Sequence, residues 1–484
     1  MQWPSPEAVR ALTVPLLRRF GTVNARNARP RARIICVMFN RLRQRYEPQL
    51  SRLGGSDTAK AAGLAGAMVA NNVIALGSVI VFSRLLNDYG SLAALVSYFL
   101  ILAVVGYAMQ LATAREAVLG HLGVGTGLAA TIRSWMKGLL VFTAVMTVLS
   151  VLARHPIAEA VGVKQDWAAA LGIPAGCLYL MLCILRGCLQ GLGDYRSVGI
   201  SLVGEQAVRL AIGGVLAAVG LGVTGAYIGT PLSFVVMMFY CAVPLRRRLG
   251  TAEPGSRPAV PLWRHVCSAW AAIAALGIIA VLQNIDIIAA KHRFSSTLAS
   301  SYSATAVAAK VLIWVAMGAG FYLVPEVSRK HSAGQDGRPV LAKALAIVAV
   351  AAIPCLLIYG LVPHLLIKAA FGSKRLGAVD SLLVLGVAFT VLAATYLAVQ
   401  YMLALKRTWF LLPLGLVAIA EPILLLQASK QPKGFATVVL AVQLVGALVA
   451  FAMALRPDKA RRGSADQPPP ELEEPELVGA PGLS

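Results

Sequence analysis

The stretch Ser300–Val324, SSYSATAVAAKVLIWVAMGAGFYLV, decides the class of this chain. It is long enough to cross a bilayer, which takes about 20 residues. It carries one charge, Lys310, near its middle. A second such stretch, Ser197–Gly220, holds Arg209 near its middle, four residues after Glu205. A charge at the bilayer centre costs at least about 2.5–3.5 kcal/mol on insertion scales, so intramembrane charges usually face a cavity and serve function. Two cations facing a cavity point to an anionic cargo.

Composition agrees with this class. Hydrophobic residues make up 58% and charged residues 13%, against about 25% charged in soluble domains. The net charge of +23 is read first as a topology signal, because basic residues in a membrane protein mostly set orientation. Nucleic acid is not an expected partner.

Hydropathy gives twelve spans, near Ala62–Arg84, Ser91–Thr113, Trp135–Leu152, Trp167–Leu189, Ser197–Ala217, Gly222–Pro244, Val266–Ala289, Ser300–Val324, Leu341–Gly360, Ala378–Leu405, Trp409–Leu426 and Ala436–Leu455. The expected fold is an all-α polytopic membrane protein with two six-helix lobes. The expected organisation is a basic, disordered tail over 1–60, one lobe over 61–245, a linker over 246–265, a second lobe over 266–455 and a Pro/Glu-rich disordered tail over 456–484. The first tail holds Arg18, Arg19, Arg26, Arg29, Arg31, Arg33, Arg41, Arg43 and Arg45. With the N-terminus inside, the loops around Arg115, Arg133, Arg186, Arg196, Arg246–Arg248, Arg264, Arg329 and Lys406 fall on the cytoplasmic side, which then holds the basic excess together with both tails. Both termini are therefore expected in the cytoplasm, in a plasma-membrane protein. The early apolar run Ile34–Phe39 is shorter than a signal core of about 7–15 residues, so no cleavable signal is expected.

The chain repeats a pattern between its halves. Phe82-Ser83-Arg84-Leu85-Leu86 precedes a polar turn and a span ending Ala114-Arg115-Glu116. Lys291-His292-Arg293-Phe294 precedes a polar turn and a span ending Val324-Pro325-Glu326. Both halves place a carboxylate in their fifth span, Glu205 and Glu421. An even number of helices per half gives parallel repeats about an axis along the membrane normal.

The stretch Leu189-Gln190-Gly191-Leu192-Gly193-Asp194-Tyr195, followed by Gly220-Leu221-Gly222-Val223-Thr224-Gly225-Ala226, resembles the polysaccharide-exporter branch of the multidrug/oligosaccharidyl-lipid/polysaccharide (MOP) flippases. So does Asn284-Ile285-Asp286-Ile287-Ile288-Ala289-Ala290-Lys291-His292, continuing to Pro325-Glu326-Val327-Ser328. The resemblance covers about residues 60 to 455. It implies two V-shaped six-helix lobes, as in MATE transporters, and movement of lipid-linked glycans across the membrane. Lipid II flippases of the same superfamily carry two extra helices, which this chain lacks.

Other motifs read as structure. Gly220, Gly222 and Gly225 form a G-x-G-x-x-G, but a dinucleotide site needs a preceding strand and a soluble βαβ unit. A tight external helix–helix turn is expected instead, with Gly225 and Gly229 spaced for close helix approach. The seven cysteines make no C-x-x-C pair, the six histidines lack metal-ligand spacing, and no catalytic triad pattern occurs. No cofactor or metal is expected, and the protein is read as a transporter, not an enzyme.

The intramembrane polar residues carry separate expectations. Glu205 and Arg209 are placed to pair on one helix. Lys310 has no carboxylate within a turn of its own helix, so its expected partner lies across the cavity, either Glu205 or a cargo phosphate. Asp286, near the external end of span seven, is a candidate for ion coupling, as is Glu205, or merely accepts hydrogen bonds. Glu421, before Pro422, is expected to satisfy freed backbone. Asn71 and Asn72 contact sugar or join helices, and Asn72 is kept as a cavity candidate with Lys310, Arg209 and Glu205. Arg84 and Arg293 are expected to snorkel to the outer interface.

Three functions compete. The first is a flippase for a polyprenyl-diphosphate-linked oligosaccharide or cell-wall precursor in surface polysaccharide synthesis. It would work as a monomer, with membrane lipids, a polysaccharide polymerase and glycosyltransferases as partners. The second is a cation-coupled multidrug exporter. The third is a polysaccharide polymerase or ligase, which typically needs a large external catalytic loop. Here the longest external loops are Ala153–Asp166 and Leu361–Gly377.

Overall fold

A computed structural model describes residues 57–250 and 258–456. The expectations for the two tails, and for residues 251–257 of the linker, lie outside the described residues. The chain divides into two units, Met1–Leu64 and Ala65–Ser484. Of the first unit, only the opening of the first helix is described; the rest of that helix, and the other helices, lobes and clusters below, belong to the second.

The described residues are helical throughout their regular structure. The first half contains α1 (Asp57–Leu85), α2 (Tyr89–Val118), α3 (Thr126–Leu152), α4 (Arg154–Val161), α5 (Asp166–Ala170), α6 (Gly172–Gly191), α7 (Tyr195–Leu216) and α8 (Gly222–Leu249). After a linker helix, α9 (Leu262–Ser268), the second half contains α10 (Trp270–Arg293), α11 (Ser296–Ala309), α12 (Val311–Ser332), α13 (Arg338–Leu361), α14 (Pro363–Phe371), α15 (Leu382–Ala404), α16 (Leu411–Gln427) and α17 (Pro432–Ala454). Among the described residues, ten segments are long and apolar enough to cross a membrane. One of them, Tyr195–Leu249, is two helices, α7 and α8, folded back on each other, and the shorter apolar α16 supplies the remaining crossing of the twelve read from hydropathy. The two halves match in plan. In each, the link between third and fourth crossings carries short helical inserts, Arg154–Ala170 in the first and Pro363–Ser381 in the second.

Local chemistry explains the breaks. The motif Gly191–Tyr195 is a helix stop followed by a start. Gly193 takes the left-handed conformation at φ 76°, which glycine adopts without steric cost. Asp194 then caps α7 by accepting from the Ser197 N–H at 3.1 Å, and pairs with Arg248 at 2.9 Å. The expected glycine turn is present between α7 and α8: Gly220 and Gly222 have φ of 107° and 53° around a π-helical turn, Ala217–Leu221. A Cβ on Gly229 would lie 2.7 Å from the Arg209 carbonyl oxygen, so α7 and α8 touch backbone to backbone.

Two boundaries differ from hydropathy. α3 begins at Thr126, ahead of the expected Trp135, because Arg133 and its polar neighbours Thr131 and Ser134 lower the apparent hydropathy of the first turns. Hydropathy starts span seven at Val266, but the chain bends at Ala269 and α9 stands apart. The bend is imposed by contacts with the first half. His265 stacks on Trp135 at 4.8 Å and is hydrogen-bonded to the Thr113 hydroxyl at 3.1 Å, while the Trp135 indole donates to the Val260 carbonyl.

Burial is that of a membrane protein turned to face lipid. On α16, Leu412, Leu416, Ile419 and Ile423 are exposed, whereas Leu414, Ala418, Glu421 and Leu425 are buried. The apolar stripe is outside and the only charge of the helix points inward, as expected where the surrounding solvent is hydrocarbon. The lobes pack chiefly through α2 against α10 and α11.

Candidate functional site

Each lobe carries its own buried ionic cluster. In the first lobe, Glu205 of α7 sits between two guanidiniums. Arg209, one turn along, lies 2.9 Å away, and Arg186 of α6 lies 2.9 Å from the other carboxylate oxygen. Arg186 is fully buried and also donates to the Ser201 hydroxyl and carbonyl, both at 2.9 Å. Arg209 is the least enclosed of the three, at 15% side-chain exposure. Its guanidinium lies over Phe234 and Phe99 at 5.5 and 5.9 Å, which adds cation–π attraction. The Phe99 and Phe234 rings pack with Tyr179, and Tyr107 packs on Tyr179 in turn. Two cations share one carboxylate, so the cluster keeps a surplus positive charge within the membrane-spanning region.

In the second lobe, Lys310 sits at a break in span eight, between α11 and α12. Its ammonium donates to Asp286 of α10 at 2.9 Å, with side-chain exposures of 6% and 0%, and lies 5.1 Å from the Phe389 ring. The Tyr302 hydroxyl donates to the second Asp286 oxygen at 3.4 Å. The expectation that Lys310 meets Glu205 or cargo across the cavity is thus corrected. Its partner belongs to the same lobe and lies 24 residues earlier in the chain, where a search within one helical turn does not reach. Asp286, in the last third of α10, is fully buried as that partner.

The other polar residues are placed as follows. Glu421 of α16 accepts from the Gln443 side-chain amide at 3.2 Å through one oxygen, while the other has no hydrogen-bond partner. It therefore spends its bond on a side chain of α17 rather than on backbone freed by Pro422. Asn71 donates to Asn72 at 3.3 Å, on a part-buried face of α1. Arg293 donates to the Ala428 carbonyl and Arg84 to carbonyls of α14, so both are bound to protein instead of reaching out to the interface. Arg186 reads in sequence as one of the loop charges. The signal that marks it is an arginine five residues inside the end of α6, facing the i, i+4 acid–base pair of α7. Among the described residues, no group of three metal-ligating side chains is found.

No family model and no curated protein sequence matches the chain. Solved structures do. An inward-closed structure of the lipid II flippase MurJ superposes with a TM-score of 0.65 at 13% identity, covering 81% of this chain and 87% of that one. An inward-facing multidrug resistance MATE transporter of the MOP superfamily gives 0.59 at 12% identity, covering 82% and 95%. A eukaryotic MATE transporter gives 0.56 at 13% identity, covering 84% and 97%. The chain therefore has the fold of the MOP transporters, as the sequence resemblance implied.

Proposed function

From the premise of a MOP transporter fold, we propose that this protein moves a polyprenyl-diphosphate-linked oligosaccharide, or a related cell-wall precursor, across the cytoplasmic membrane by alternating access. The observation that supports this cargo is the Arg186–Glu205–Arg209 cluster. It holds one more positive than negative charge and turns its least buried member, Arg209, to the lobe surface. A diphosphate suits such a group through charge-assisted hydrogen bonds. Arg209 meets the phosphates, Glu205 and Arg186 hold it in place, and Asn72 is proposed to face the glycan. Lys310 and Asp286 form the internal pair of the opposite lobe. Asp286 and Glu205, the sequence candidates for ion coupling, are each held by a cation, and Glu421, with one unbonded oxygen, is proposed beside them as a carboxylate for a coupling proton or cation. Glycosyltransferases that build the cargo and a polymerase that consumes it are the proposed partners, and both termini are proposed to lie in the cytoplasm.

One observation favours the multidrug-exporter reading: Glu421 presents an unbonded carboxylate oxygen inside the second lobe, which suits a cationic ligand. Gene deletion separates the two. The flippase reading expects a lipid-linked glycan left on the cytoplasmic leaflet and loss of a surface polysaccharide. A deletion strain that keeps its glycans but becomes sensitive to cationic dyes replaces that reading with the exporter.

A further inference from the structure

Hydrogen bonds between the two lobes gather at one end of the bundle, the end carrying Leu85, Asp88, Arg293 and Phe371. Arg375 lies in the 3-10 segment Ser373–Ser381 of the second lobe and is 3% exposed. All the hydrogen bonds described for its side chain go to the first lobe. Its guanidinium donates to the carbonyls of Ser83 (2.9 Å), Leu86 (2.6 Å) and Asn87 (3.3 Å), at and just beyond the C-terminal end of α1. The reverse contact also exists. Arg84, in the last turn of α1, donates to the Ala370 carbonyl at 3.1 Å and to that of Ala369, in the last turn of α14. Helix C-termini carry unpaired carbonyls and partial negative charge, which cations satisfy. Around this pair, Asp88 accepts from Lys291 at 2.7 Å and Ser296 at 2.8 Å, and the Gly90 N–H donates to the Ser300 hydroxyl at 2.9 Å. At the opposite end, the described hydrogen bonds of the first lobe to later residues run to the linker, at Ala259, Val260 and His265, and not to the second-lobe helices.

We propose that Arg84 and Arg375 form a reciprocal latch at the Asp88 end, each capping a helix of the other lobe, and that the latch must part for that end to open. The chemistry suits reversible parting. Neither guanidinium leaves a partner carboxylate behind when it withdraws. The freed groups are cations and backbone carbonyls at the rim of the bundle, and water replaces both sets of bonds. The Lys310–Asp286 pair is the contrast: it lies inside one lobe, where no water replaces a lost partner. Exposed Arg84 and buried Arg375 also divide the task, since water reaches the first before the second. The proposal does not depend on the cargo, and it fits the carrier and exporter readings alike.

The test uses the full chain in lipid nanodiscs, without cargo, with native cysteines replaced and spin labels at Glu159→Cys and Lys433→Cys. Both sites are exposed, on opposite lobes at the Asp88 end. Electron–electron distance measurement is expected to show a short population that gains a longer one in Arg84→Ala and in Arg375→Ala, with Arg375→Lys intermediate. Thermal unfolding of each variant accompanies the measurement. If Arg375→Ala does not fold, Arg84→Ala decides alone, because an exposed side chain can be truncated without opening a cavity. A wild-type distance distribution in either folded alanine variant overturns the reciprocal latch. Because no cargo is present, that outcome leaves the transport reading standing.

Discussion

Lys310→Ala should unfold this protein more readily, not leave it stable and inactive. The ammonium lies 2.9 Å from Asp286, and the two side chains are 6% and 0% exposed. Removing it strands a carboxylate among Tyr302, Phe389 and the α10 core. Breaking a buried pair by deleting one partner costs about 3–5 kcal/mol. An independent ceiling follows from the alternative of neutralising the stranded group: protonating an ordinary aspartate at pH 7 costs about 4 kcal/mol, from about three pH units at about 1.4 kcal/mol each. The two estimates agree, so the expected loss is about 3–4 kcal/mol. Deleting both charges should recover most of it. Lys310→Met with Asp286→Leu replaces the pair by apolar groups of similar reach, a change that is often neutral or stabilising. The remaining deficit is the Tyr302 hydroxyl left without its acceptor, about 1 kcal/mol. Denaturant unfolding in detergent micelles across the four-member double-mutant cycle measures the coupling directly. Additive single effects, or a Lys310→Ala variant as stable as the parent, would refute the assignment of Lys310 to an internal pair.

Further outcomes rest on the same geometry. Arg209→Ala should keep the fold, because Arg186 still compensates Glu205, yet lower flipping of a fluorescent polyprenyl-diphosphate glycan in proteoliposomes by about 10- to 100-fold, the worth of a charge-assisted hydrogen bond of about 1.5–3 kcal/mol; unchanged flipping removes Arg209 from the site. Arg186→Ala should instead destabilise by about 3–5 kcal/mol, read by the same unfolding assay. His265 is held below the ordinary histidine range by burial, against an opposing pull from Glu116; a depressed histidine means the unfolded chain binds more protons, so stability should fall as pH drops below about 6.5 and this dependence should vanish in His265→Asn. Burial raises the Asp88 carboxyl, but hydrogen bonds from Lys291, Ser91 and Ser296, with the Lys291 charge, outweigh it and leave it below the usual range; its contribution is therefore present above about pH 3.9 and lost only as pH falls through the lower folded value, so the label distance at the Asp88 end should not change between about pH 7 and 5. Cysteine labelling should reach position 164 from outside and position 247 from inside; the reverse pattern inverts the topology.

The fold was legible because its signals are local and repeated. Twelve apolar runs, the Gly193–Asp194 stop and start, and the glycines around Gly220 each declare themselves within about ten residues. The first-lobe site was half legible for the same reason: Glu205 and Arg209 are one turn apart, and the pattern that joins them is helical spacing. Arg186 escapes such a reading because its partner is on the next helix, and a position near a span end reads as a topology charge. Lys310 stands out in sequence but its partner does not, since pairing across helices depends on rotation about each axis, which hydropathy does not record. Arg84 shows the limit most plainly. An arginine at a span end looks the same in sequence whether it reaches for water or caps a helix of the other lobe.

The separation of Asp286 from Lys310 along the chain also bears on how the protein is made. α10 is complete before α11 and α12 have been synthesised, so Asp286 would enter the bilayer without its counter-ion. An aspartate costs up to about 2.5–3.5 kcal/mol on insertion, the value at a helix centre, and the apolar remainder of α10 must carry it. Release of α10 together with the next segment, as a hairpin already neutralised by Lys310, removes that cost. In the first lobe the signs are exchanged: Arg186 of α6 precedes Glu205 of α7, so there the cation is the charge that waits. Each lobe therefore has a helix whose charge must wait for the next one to be made, and a Lys310 variant should be recovered in lower yield than the parent as well as being less stable once folded.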